Sequence, residues 1–289
     1  MQADSFLRLG LTGWPLGHSL SPKLHSAALQ ALGLEGEYRL YLVPPLPEGQ
    51  EQLKTLVKQV RAGEITGLNV TIPHKQAVLP LVDELTPAAR AIGAVNTLYL
   101  WDGRLVGDNT DAPGFLADLR RLNFLFEDFG PLRGPKSSNK VLVLGAGGSA
   151  RAVCYALAGA GWEVTIAARR LEQAAALAAS LGGTAQGLKA RLLDADSLGG
   201  AFALMINSTP LGMFPHPEGS PWPEGLPLPA GAAVYDLVYN PPETALLAAA
   251  RRTGLPAANG LGMLIEQAAL AFEIWTGKAV PRQVLWNSV

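Results

Sequence analysis

Two kinds of segment in this 289-residue chain could do chemistry. The first is a glycine-rich turn, Gly145-Ala146-Gly147-Gly148-Ser149-Ala150, between the run KVLVL and an Ala-rich run ending in Gly161. Its glycines permit a tight turn and a close approach of backbone to a pyrophosphate. The helix that follows would turn its positive N-terminal end to the phosphates. The pattern is a G-x-G-x-x-A form of the dinucleotide-binding fingerprint. Any tight strand-to-helix turn could read the same way, but here the strand before and the helix after are both present, as the fingerprint requires. At the end of the next strand the chain reads Ala167-Ala168-Arg169-Arg170. An NAD site usually carries an acidic residue there, whereas two arginines suit a 2′-phosphate by charge and bidentate geometry, so NADP is the expected cofactor. The plain alternative is a pair of solvated surface arginines.

The second kind is a set of short polar segments at strand ends and turns, where sites are usually built. They are Gly17 to Pro22 (GHSLSP), Asn69 to Lys75 (NVTIPHK), Ala94 to Thr97 (AVNT) and Gly107 to Asp111 (GDNTD). Each alone has a structural reading. Ser21 would cap a helix, Lys75 would be an ordinary exposed lysine, Asn96 would satisfy a turn, and Asp111 would cap a helix beginning near Pro113. The four histidines are scattered without ligand spacing, and one cysteine permits neither an internal disulfide nor a Cys-based zinc site, so no metal is expected.

The elements that must position these residues follow from pattern. With 48% hydrophobic and 16% charged residues the chain can bury a core, which excludes general disorder. A net charge of -1 leaves no basic excess for nucleic acid. No signal peptide and no membrane span are expected, which suggests a cytoplasmic protein. Strands are predicted at 7–13, 38–43, 68–72, 95–101 and 104–106, the last two joined by an Asp102-Gly103 hairpin turn. Helices are predicted from Ser21-Pro22 to Gly33, around Leu53, Leu56, Val57 and Val60, from Thr86-Pro87 to Gly93, and over 115–122. Residues 127–139 read as a linker. Beyond it, strands at 140–144, 163–167, 204–208 and 234–238 alternate with helices, a doubly wound parallel pattern, before a long helix over 263–275. Cys154, on an Ala-rich helix, reads as core.

Taken together, GWPLGHSLSPKLH, NVTIPHK, AVNT, GDNTDAPGF, VLVLGAGGSARAV, NSTPLGM, YDLVYNP and GLGMLIEQAALAFEIWTG resemble the shikimate dehydrogenase family, in order and over nearly the whole chain. The resemblance implies an α/β protein with an N-terminal α/β substrate domain and a Rossmann-type, doubly wound NADP-binding domain, with a cleft between them. The substrate domain would be 1–111 with 260–289, the Rossmann domain 112–259. It implies reversible oxidation of shikimate to 3-dehydroshikimate with hydride transfer to NADP, in chorismate and aromatic amino-acid biosynthesis.

By motif position, Ser19 and Ser21 would hold the substrate carboxylate. Thr71, Asn96 and Gln267 would bind ring hydroxyls with Lys75 and Asp111, which would also be the proton-transfer pair, either one able to be the formal base. Tyr239 would contact substrate or cofactor, or be a core tyrosine. On the cofactor side stand Gly145, Gly147, Gly148, Ser149, Ala150, Arg169 and Arg170, with Thr209, Met213, Gly260 and Met263; the two methionines line the nicotinamide pocket or belong to apolar core. The family's NADP-type members usually read Asn-Arg-Thr where this chain has Ala168-Arg169-Arg170, leaving Arg170 to supply a second charge. Two other readings are a quinate/shikimate dehydrogenase with broader substrate or NAD use, and a non-catalytic dinucleotide-binding regulator. The first tends to place an aspartate just after the arginine segment, and the second should lack the Lys75 and Asp111 pair. Expected partners are small molecules only, for a monomer or homodimer.

Overall fold

The computed structural model describes residues 6–124, 139–182, 188–195 and 198–289. The chain divides into two units, Met1–Gly114 with Ile265–Val289, and Phe115–Leu264. The linker expected over 127–139 lies, apart from Asn139, outside the described residues.

The first unit contains β1 (Leu7–Gly13), α1 (Ser21–Ala31), β2 (Gly36–Leu42), α2 (Gln50–Arg61), β3 (Gly67–Val70), β4 (Glu84–Leu85), α3 (Pro87–Ile92), β5 (Thr97–Trp101) and β6 (Arg104–Asp108). These strands form a six-stranded sheet in the order β2-β1-β3-β5-β6-β4. β1 runs parallel to β2 and β3, while β5 is antiparallel to β3 and β6. The apolar stripe read from sequence is what packs α2: Leu53, Leu56, Val57 and Val60 are all buried, in one cluster with Leu68, Val70, Leu98 and Leu105 of the sheet. Each such side chain contributes roughly 1.5–3 kcal/mol by leaving water. Asp102 and Gly103 both have positive φ, as the hairpin turn between β5 and β6 demands. Thr86 caps α3 by accepting from Ala89 N–H at 3.2 Å.

Two caps fall elsewhere than the sequence suggests. Leu20, not Ser21, occupies the N-cap of α1, and no side chain bonds there in the capping manner. Ser21 is the first helical residue, and its N–H donates to Ser19 Oγ at 3.2 Å. The next helix, α4 (Asp111–Arg121), begins at Asp111 itself. Asn109 supplies its cap, Oδ1 accepting from Asp111 N–H at 3.1 Å and Ala112 N–H at 3.4 Å. Both Ser21 and Asp111 are thereby released from capping.

The second unit runs through β7 (Lys140–Leu144), α5 (Gly148–Gly159), β8 (Glu163–Ala168), α6 (Leu171–Leu181), β9 (Lys189–Leu192), β10 (Leu204–Asn207), β11 (Ala233–Asp236), α7 (Ala245–Arg252) and β12 (Ala257–Asn259). All pairings are parallel and the order is β12-β11-β10-β7-β8-β9, a doubly wound Rossmann-type sheet. β7, β10 and β11 are buried nearly throughout, so they read as apolar runs rather than alternations. Cys154 is fully buried in α5. The chain then enters α8 (Leu261–Thr276) and ends with α9 (Arg282–Trp286). The boundaries between the units fall inside α4 and α8. Among the described residues no helix is long and apolar enough to cross a membrane.

Candidate active site

In the first unit the polar segments converge at the strand ends. Lys75 lies beyond the carboxyl end of β3, where its own carbonyl accepts from Val95 N–H at 2.8 Å. It is not the exposed lysine of the plain reading: it is 8% exposed. Its Nζ donates to Asp111 Oδ2 at 2.6 Å, and Asp111 is 5% exposed. The other carboxylate oxygen, Oδ1, accepts from Asn96 Nδ2 at 2.9 Å. Asn96 also donates to Thr110 Oγ1 at 2.9 Å and to Gln267 Oε1 at 3.4 Å, and its Oδ1 accepts from Thr110 N–H at 2.8 Å. Four predicted residues, Lys75, Asp111, Asn96 and Gln267, are therefore joined in one buried network. Gln267 comes from α8, and Gly114 lets α4 approach it: a Cβ at Gly114 would stand 2.8 Å from Gln267 N.

Ser19 is half-buried in the turn between β1 and α1, its N–H donating to Leu16 O at 3.0 Å. Thr71 is half-buried just past β3, its N–H donating to Thr12 O at 2.9 Å. Ser21 is buried, and the hydroxyl of Tyr38 on β2 donates to Asn69 Oδ1 at 2.8 Å. Asn69 Nδ2 in turn donates to Asn96 O at 3.1 Å. A continuous polar chain thus runs from Tyr38 to Asn96. His25 stacks flat on Tyr38 at 4.3 Å between ring centroids, and burial drops its pKa to about 3. Tyr38, Asn69, Asn109 and Thr110 had no assigned role from sequence. An asparagine inside an apolar strand was the available signal for Asn69, since strands disfavour it.

In the second unit the glycine-rich turn leaves β7 for α5. Gly145 has φ of 109°, which favours glycine, and a Cβ there would stand 2.8 Å from Ser208 Oγ. Above Gly147 the space is open, and no side chain caps α5. Ser149 is half-buried and Ala150 fully buried. Arg169 and Arg170 are exposed past the end of β8, and Arg169 lines a cavity of about 1080 Å³ with Leu193, Asp194, Trp222 and Arg252. Uncapped helix amides, room over Gly147 and two cations at the strand end fit a dinucleotide with an added phosphate.

Thr209 is half-buried and held by Asn207, while Met213 is 39% exposed, so the core reading of Met213 does not hold. Met263 is buried, and Tyr239 is half-buried on the segment after β11. Gly260 sits so close to Leu237 O that a Cβ would overlap it. Asp236 is buried among Asn207, Thr244 and Val238, and desolvation, partly offset by hydrogen bonds from Thr244, Val238 and Asn207, pushes its carboxyl up to about 6. No cluster of His, Cys, Asp and Glu among the described residues could hold a metal ion.

Known proteins match this chain along its length. A family profile described as the shikimate dehydrogenase substrate binding domain matches residues 11–98. One described as shikimate / quinate 5-dehydrogenase matches 132–208, and one for the shikimate 5'-dehydrogenase C-terminal domain matches 260–289. The shikimate dehydrogenase (NADP(+)) of Methanopyrus kandleri is 43% identical over 287 residues, covering 97% of this chain and 94% of the relative. The crystal structure of shikimate 5-dehydrogenase from Thermus thermophilus in complex with NADP(H) and shikimate is 40% identical, with a TM-score of 0.80 and 98% of each chain covered. The quinate dehydrogenase of Corynebacterium glutamicum in complex with NAD is 33% identical, with a TM-score of 0.81 and 98% of each chain covered. With a relative this similar over nearly its full length, the chain belongs to the shikimate dehydrogenase family.

Proposed function

We propose that this protein catalyses the reversible NADP-dependent oxidation of shikimate to 3-dehydroshikimate, with Lys75 and Asp111 as the proton-transfer pair. The observation that carries the reading is the buried 2.6 Å contact between Lys75 Nζ and Asp111 Oδ2, with Asn96 on the other carboxylate oxygen. Oxidising a secondary alcohol separates a hydride from C–H and a proton from O–H. NADP, when bound, supplies the acceptor for the hydride. The proton passes to the Lys75 and Asp111 pair, which also orients the reacting hydroxyl. The pair is nearly dry, so its charges act more strongly on the substrate than they would in water.

The remaining residues bind. Ser19 and Ser21 hold the carboxylate, and Thr71, Asn96 and Gln267 hold ring hydroxyls, the amides serving as both donor and acceptor. Gly145, Gly147, Gly148, Ser149 and Ala150 receive the pyrophosphate, and Arg169 with Arg170 the 2′-phosphate. Thr209, Met213, Gly260 and Met263 serve the nicotinamide half, and Tyr239 contacts substrate or cofactor. The first unit is the substrate domain and the second the NADP domain. The same reading makes the protein a cytoplasmic monomer or homodimer acting on small molecules alone. Initial rates with shikimate or quinate, each with NADP+ or NAD+, test it: turnover is expected to be fastest with shikimate and NADP+. Faster turnover of quinate with NAD+ would overturn both assignments.

A further inference from the structure

We propose that Asn207 and Asp236 are positioning residues for the cofactor: together they fix the two loops, residues 208–213 and 237–241, that carry Thr209, Met213 and Tyr239. The proposal rests on the NADP reading above, which gives those loops their role.

The two residues are register partners at the carboxyl ends of parallel β10 and β11, and both are fully buried. The backbone ladder already joins these strands, so their side chains are not needed to close the sheet. Instead the side chains reach forward into the loops. Asn207 Oδ1 accepts from Thr209 N–H at 2.9 Å and from Thr209 Oγ1 at 2.7 Å. Its Nδ2 donates to Leu211 O at 3.3 Å and to Asp236 Oδ1 at 2.8 Å. All four hydrogen-bonding positions of the amide are thereby used, three of them on the loop that follows it. Asp236 Oδ1 also accepts from Val238 N–H at 3.0 Å, turning the second loop, and Oδ2 accepts from Thr244 Oγ1 at 2.7 Å. Thr244 caps α7 and so ties the far end of that loop to the same carboxylate. Phe214, the residue after the first loop, also ties it to the second, its N–H donating to Asn240 O at 3.0 Å.

A carboxylate buried this deeply carries a desolvation penalty that a well-packed apolar pair would avoid. What an apolar pair could not do is hold two irregular segments to one geometry. The shared bond at 2.8 Å makes the loops move as one, so a hydroxyl on Thr209 and a ring on Tyr239 keep a fixed spacing. Such fixing spares the loops the ordering entropy they would otherwise lose when a cofactor binds.

The test compares wild type, Asp236→Ala and Asp236→Asn by equilibrium binding of NADP+, by KM for NADP+ and for shikimate, and by thermal melting. Asp236→Ala is expected to weaken NADP+ binding and raise its KM at least about tenfold, with shikimate KM within about twofold of wild type. Asp236→Asn keeps an oxygen for Asn207 and Val238 and should stay within about threefold of wild type. A purely structural role would lower Tm and the active fraction and leave both KM values alone. Unchanged NADP+ affinity in folded Asp236→Ala overturns the proposal. If that variant does not fold, Asn207→Ala cuts the same ties from β10 and is judged by the same outcomes. Failure of the wild type to bind NADP+ would instead overturn the cofactor reading on which the proposal rests.

Discussion

Lys75 and Asp111 lie 36 positions apart in sequence, yet their charged atoms meet at 2.6 Å in a buried site. General acid–base catalysis is typically worth about 10²–10⁴-fold. Lys75→Ala is therefore expected to lower kcat by at least about a hundredfold with a much smaller change in shikimate KM. Asp111→Asn should lower kcat as well and also weaken binding, because it unsettles Asn96. Steady-state rates at saturating shikimate and NADP+, with the fold checked by circular dichroism, decide the matter. A Lys75→Ala enzyme within about threefold of wild-type kcat would show that the proton goes elsewhere.

Ser19 is expected to act on binding rather than chemistry. A carboxylate that does not change during the reaction gains equally in ground and transition states from its donors. Ser19→Ala should mainly raise shikimate KM. A large fall in kcat at unchanged KM would place this segment against the reacting carbon instead.

Arg169 should set the choice of cofactor. A charge-assisted pair with the 2′-phosphate is worth about 1.5–3 kcal/mol, so Arg169→Ala should raise the NADP+ KM by about tenfold or more. NAD+ lacks that phosphate and should be used almost as before. Equal losses for both cofactors would mean that Arg169 only shapes the surrounding cavity.

Asp236 predicts a pH dependence of stability. Burial holds its folded-state pKa at about 6, above the roughly 3.9 of an unfolded aspartate. The raised value means that the proton favours the folded state. The contribution is fully present below the unfolded value and is lost as pH rises through about 6. Asp236→Asn has no such titration. Its stability relative to wild type should increase between about pH 4 and about pH 7, by up to about 3 kcal/mol. Parallel denaturation curves at both pH values, with a constant offset, would contradict this.

The parts of the molecule legible in sequence are those set by local chemistry. The turn from β7 to α5 needs glycine at Gly145 for its backbone angles, and the Asp102-Gly103 hairpin needs two residues tolerant of positive φ. The α2 stripe repeats at helical spacing because one face must be buried. What escaped depends on partners distant in sequence. Ser21 looks like a cap, but Leu20 occupies the cap position and Ser21 is a buried residue of the helix itself. Asp111 also looks like a cap, and only the position of Asn109 relieves it. Asn207 and Asp236 carry no signal alone, and they acquire a role only through a strand register that pairs positions 29 apart. β4, β9, β12 and α9 are two to five residues long, too short to show a period.

The bond between Asn96 and Gln267 spans 171 positions, and Trp275 of the same helix donates to Leu98 O at 3.1 Å. During synthesis, at roughly 5–20 residues per second, about 10–30 s separate the emergence of one partner from that of the other. Throughout that interval the first sheet stands without α8. Gly67, Leu98 and His25 lack the Trp275 and Phe272 rings that later cover them. The nascent chain thus carries an uncovered apolar face while the whole second unit is still being made. Slowing translation or depleting chaperones should therefore raise aggregation of this protein more than that of a chain whose first unit is continuous.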